Sequence, residues 1–175
     1  MTITKLDAAE RQIVAAVRLL FDGGDPVPIY ALAAAAREIT TALCEHRGIR
    51  SMIDKMEDIF SEKTRKQIFV WVHRHAAFFK HARTDPDGLL EDFEADEAEA
   101  VLYLACSDFS WLCEGPRIAE ILVFEEWYLA KQDASRQNKM FHDLGRKSRA
   151  EQIELGRQSL HIMRIVESER NLAPD

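Results

Sequence analysis

Residues 63–83 read KTRKQIFVWVHRHAAFFKHAR, and their spacing decides the fold class. On a helix turning about 100° per residue, Ile68, Trp71, Val72, His75, Phe78, Phe79 and Ala82 close one broad apolar arc. The spacing predicts a single core helix over 63–83. The same stretch holds Lys63, Arg65, Lys66, Arg74, Lys80 and Arg83 and no acid, in a chain of net charge −7. A counter-charge is therefore expected close by.

It follows directly. Residues 85–99 carry Asp85, Asp87, Glu91, Asp92, Glu94, Asp96, Glu97 and Glu99 without a Lys or Arg. Between the two segments, TDPDG ends the helix, because proline disfavours helix at the residue before it and lacks a donor. Upstream, Asp7 with Glu10 has the spacing of a capping box, and a first helix is expected over 8–22, stopped by Gly23-Gly24. Asp25 and Pro26 suit the N-cap and first turn of a second helix ending before Gly48, with an alanine-rich face that permits close approach. Ser51 opens a short third.

Downstream, helical period resumes near Asp96 and continues to Gly115. Pro116 suits the first turn of the next helix, over 116–131, which is apolar around most of its circumference and so central. Ser148 and Glu151 form a capping box for a last helix over 149–168. The expected fold is all-α, a single-domain bundle of about seven helices spanning the 175 residues.

Composition narrows the function classes. No segment is strongly apolar over the ~18–20 residues of a bilayer span, and the start MTITKLDAAER lacks the layout of a signal peptide, so no membrane role and a cytoplasmic location are expected. Cys44, Cys106 and Cys113 contain no CxxC, which disfavours a disulfide framework or thiolate zinc site, and the seven-residue spacing of Cys106 and Cys113 places both on one helix face, in the core. The acidic balance disfavours duplex DNA as a partner. No HExxH, P-loop, GxGxxG, GxSxG or Glu-x-x-His occurs, and His73 and His75 diverge by about 200° on a helix. No metal and no cofactor is expected.

The residues that carry chemistry cluster in 63–83. Arg74 and His81 lie two turns apart and about 20° different in azimuth. The run Arg74-His75-Ala76-Ala77-Phe78-Phe79-Lys80-His81 resembles the motif of the HEPN superfamily of helical-bundle ribonucleases, an Arg, then Asn, Asp or His, then a His after a short gap. The resemblance implies metal-independent RNA cleavage at a homodimer cleft, with Arg74 steadying phosphate charge and His81 moving the proton. Arg136 with His142 repeats the spacing with Gln137 in place of the preferred residue. The segment FFKHA with Asp85-Pro86 after it also resembles a family of bacterial helical proteins of unassigned function, which commonly has Asn where this chain has Ala77. That likeness marks Lys80, His81 and Asp85 as a turn-of-helix arrangement, against helix-end charge compensation as its other account.

His75 sits at the middle of the apolar arc. Its expected partner is Glu125, which shares a face with Ile118, Leu122 and Leu129 and so needs pairing or protonation. Either Glu125 forms a structural pair with Arg74 or His75, or it serves as a tuned acid or base beside them. The last helix carries an apolar stripe of Ile153, Leu160, Met163 and Val166, widened by Leu155, Ile162 and Ile165. It is expected to dock on the core or on a second subunit. A basic hinge over 131–149, including Arg136 and Lys139, is available to RNA or an acidic protein. Two function classes stay open: a homodimeric helical module that binds a protein partner, and the endoribonuclease using Arg74 and His81.

Overall fold

The computed structural model describes residues 1–172 apart from 61, 81–82, 84, 114, 116–117 and 134–139, and the side chains of these except 71, 171 and 172. The described residues form eight α-helices and one 3-10 turn, with no strand among them. In chain order these are α1 (Lys5–Phe21), α2 (Pro26–His46), α3 (Met52–Ile59), α4 (Arg65–His73), α5 (Ala76–Lys80), α6 (Ala95–Leu112), α7 (Ala119–Gln132), the 3-10 turn Leu144–Arg146 and α8 (Arg149–Leu172).

Caps set most boundaries. Asp25 Oδ1 accepts from the Val27 N–H at 2.8 Å with Pro26 in the first turn, and Gly48 turns the chain after α2 at φ +67. Ser51 and Asp54 cap α3 reciprocally, and Ser148 and Glu151 do so at the start of α8. α1 starts earlier than expected. Thr4 Oγ1 accepts from Asp7 N–H at 3.1 Å and Asp7 Oδ2 accepts from Thr4 N–H at 2.9 Å, so Asp7 closes the box from its third position instead of opening one with Glu10. The extra turn brings Leu6 onto the core. α7 starts at Ala119, three residues later than expected, with Ile118 as its cap residue.

α2 and α6 form the most extensive helix pair, flanked by α1 and then by α7 and α8. Small residues allow the approach: Ala33, Ala34 and Ala36 of α2 and Ala98 and Ala105 of α6 are all buried, with Cys44 and Cys106. By length and composition α2 is apolar enough to cross a membrane, although half of that window is buried inside the fold. α7 is central as expected. Its Trp127 and Phe124 are fully buried, and the Trp127 indole meets Phe21 edge-on at 5.5 Å and donates to the Gln152 carbonyl at 2.8 Å.

The stretch 63–83 departs from expectation twice. It breaks at Arg74 and His75 into α4 and α5, and it lies outside the α2–α6 pair as a strap touching α3 and α2. Tyr30 Oη donates to the Val72 carbonyl at 3.2 Å, the acceptor that a continuous helix would give to the Ala76 N–H. The α-helical bonding then restarts at His75, whose carbonyl accepts from Phe79 N–H at 3.2 Å. Ile68, Val72, His75 and Ala76 are buried and Phe79 packs on the core, but Phe78 faces solvent.

Gly156 of α8 has no room for a side chain, since a Cβ would lie 2.2–2.8 Å from three atoms of the Phe21 ring. Alanine at an unhindered helix position gains up to about 1 kcal/mol over glycine. Here Gly156→Ala is expected to lose about 1–3 kcal/mol by overpacking, read from urea denaturation.

Candidate functional site

One group of polar residues, part buried and part exposed, meets where the α4–α5 strap lies on α2 and α6. Tyr30 and Arg37 project from α2, two turns apart; Glu97 and Asp108 come from α6; His73, Arg74 and His75 come from the strap. Rings of Tyr30, His75, Phe79 and Phe93 pack at centroid distances of 5.4–5.9 Å. Beside them lies a cavity of about 210 Å³ with Val72, Ala100, Val101 and Leu104 as walls and Tyr30, Arg74, Asp96 and Glu97 as polar lining. That is below the roughly 300–1,000 Å³ of ordinary ligand pockets.

Arg37 is 1% exposed. Its Nη2 bonds His73 Nε2, its guanidinium carbon stands 5.8 Å from the Phe69 ring, and among the described residues its Nε and Nη1 have no hydrogen-bond partner. Burial pushes the guanidinium down to about 10, which leaves it a cation at neutral pH. Asp108, fully buried, accepts from Thr41 Oγ1 at 2.8 Å and from the Met52 N–H at 2.6 Å, and burial raises its carboxyl. Neither residue was expected from the sequence. The signal was present: Arg37 follows the buried Ala33 and Ala34 on one face of α2, and Asp108 keeps step with Val101, Ala105 and Leu112 on α6.

Arg74 and His75 share Glu97. Arg74 pairs with Glu97 Oε1, and His75 Nδ1 lies 2.5 Å from Oε2 without hydrogen-bonding alignment. The expected carboxylate, Glu125, lies elsewhere: buried in α7, it accepts from Ser110 Oγ at 3.5 Å. Lys80 pairs with Glu38 at 3.2 Å, and the Asp85 carboxylate folds over Gly88. The break at Arg74 and His75 ends the continuous helix on which Arg74 and His81 were expected to share a face. His81, Arg136 and Lys139 lie outside the described residues. His142 is exposed, with Nδ1 3.0 Å from its neighbour Asp143.

The acidic run serves more than the strap. Asp96 and Glu99 both hold Lys131, each at 2.7 Å, and the fully buried Glu99 also pairs with Arg149. Between Gly23-Gly24 and the start of α8 lies an open groove of about 1,020 Å³, but its arginines are engaged within the fold, Arg149 by Glu99 and Arg157 by Glu154 and the Phe21 carbonyl. Among the described residues no group of three or more His, Cys, Asp or Glu has the arrangement to hold a metal ion.

Tyr30→Phe removes the hydroxyl that bonds the strap at its break. It is expected to cost about 1 kcal/mol in urea denaturation and to lower amide-exchange protection in α4, with α1 and α7 unchanged. Compared with family models, curated proteins and solved structures, the chain matches none.

Proposed function

We propose that the chain is a helical interaction module that pairs with a second copy of itself through the second half of α8. The supporting observation is that α8 has two apolar faces. Ile153, Gly156, Leu160 and Met163 point inward against the body, where Arg164 and Arg18 also clamp Glu120 at 2.6 and 2.7 Å. Ile162, Ile165 and Val166, about 145° away around the helix, are 56%, 45% and 42% exposed. The stripe read as one surface is thus divided, half to the core and half to solvent.

Full burial of each such aliphatic side chain contributes roughly 1.5–3 kcal/mol. A patch of three is small alone, but a two-fold partner presents the same patch and doubles it. Leu160 faces inward and is buried, so a charge there is expected to destabilise the domain itself. Paired Ile162→Glu and Ile165→Glu substitutions are expected to convert a dimer into a monomer in light scattering with unchanged far-UV circular dichroism. A wild-type chain that stays monomeric at high concentration would overturn the reading.

A second reading, a HEPN-like metal-independent endoribonuclease, draws on the exposure of Arg74 at the mouth of the seam, with 48% of its side chain open to solvent. A phosphate there would compete with Glu97. RNA cleavage that persists in EDTA and disappears in both Arg74→Ala and His81→Ala would put this reading first.

A further inference from the structure

We propose that the α4–α5 strap is a pH-released cover, seated on α2 and α6 while His73 is neutral and lifted when His73 takes up a proton. The proposal is independent of the α8 surface.

The hydrogen bonds around His73 fix its protonation state. Nδ1 stands 2.7 Å from the Phe69 carbonyl, which only accepts, so Nδ1 carries the ring proton. Nε2 is then a bare acceptor and takes the Arg37 Nη2 donor. A second proton fills Nε2, sets two donors against each other and takes this bond from the guanidinium of Arg37, whose Nε and Nη1 already lack partners among the described residues. A second cation also enters a seam that holds one fully buried.

The surrounding charges do not cancel this. From α2, His73 faces Arg37 and Glu38; from α5 it faces Lys80, which is bound to Glu38. From α6, Asp108 acts on Arg37 but is already engaged by Thr41 and the Met52 N–H. On α4 itself the Phe69 ring and carbonyl are the neighbours. His75, the buried imidazole of the strap, faces Arg74 and Glu97 and the rings of Tyr30 and Phe93.

Burial, then the Arg37 cation, lowers His73 below its ordinary 6.5, and burial followed by Arg74 does the same for His75. A lifted strap therefore binds more protons than a seated one as pH falls below about 6.5. Seating is complete above that value and is lost progressively beneath it. Lifting uncovers Val101, Leu104 and the Tyr30 ring, the apolar floor of the 210 Å³ cavity.

Hydrogen exchange of the full chain at pH ~7.5 and ~5.5, corrected for intrinsic rates, tests this. Protection over 65–80 is expected to fall several-fold at the lower pH while α2 and α6 keep theirs. In His73→Gln, whose amide oxygen accepts from Arg37 without titrating, the fall shrinks to the part that His75 contributes. Strap protection that survives at pH ~5.5, or an unchanged fall in His73→Gln, overturns the proposal. Should His73→Gln not fold, NMR titration of the wild-type His73 ring decides: a midpoint below 6.5 supports the cover and one at or above it sinks it.

Discussion

A carboxylate with no access to water organises the middle of this protein. Asp108 takes the Thr41 hydroxyl from α2 and the first N–H of α3, and its own carbonyl lies 3.7 Å from Cys44 Sγ, so three helices meet on one residue. A buried charge of this kind adds little net stability, but removing any partner leaves it costly. What it fixes is register: α2 against α6, and α3 against both. α4 packs on α3, and through it the strap inherits its position.

Much of the fold was legible because its signals are local. Ser51, Asp25 and the Ser148–Glu151 box satisfy orphan helix donors within a few residues of chain, so spacing alone finds these helix starts. The central placement of Trp127 followed from a helix apolar nearly all round. At the N-terminus two boxes had equal spacing, and the one starting at Thr4 prevails because it adds a turn whose Leu6 reaches the core.

The site was less legible, because distant groups decide it. Nothing in residues 63–83 states that a hydroxyl from position 30 will occupy the Val72 carbonyl and part the helix there. An apolar arc says that one face is covered, and it does not say how deeply; here the cover is a single layer. Arg74 and His75 were matched to a plausible buried acid, Glu125, whereas the acid that meets them, Glu97, lay in a run read as the strap's counter-charge in general. That run in fact divides its charges between the strap and the cations Lys131 and Arg149.

The thiols at the α2–α6 contact give this architecture a built-in clock. Burial pushes Cys44 up to about 12 and raises Cys106 well above the usual thiol range, and it also raises Cys113, which is half-buried at the end of α6. Since alkylation needs the thiolate, Cys44 and Cys106 react only when the two longest-packed helices part, whereas Cys113 answers to fraying of α6 alone. The labelling rates of three cysteines thus separate the opening of the body from the loosening of its edge.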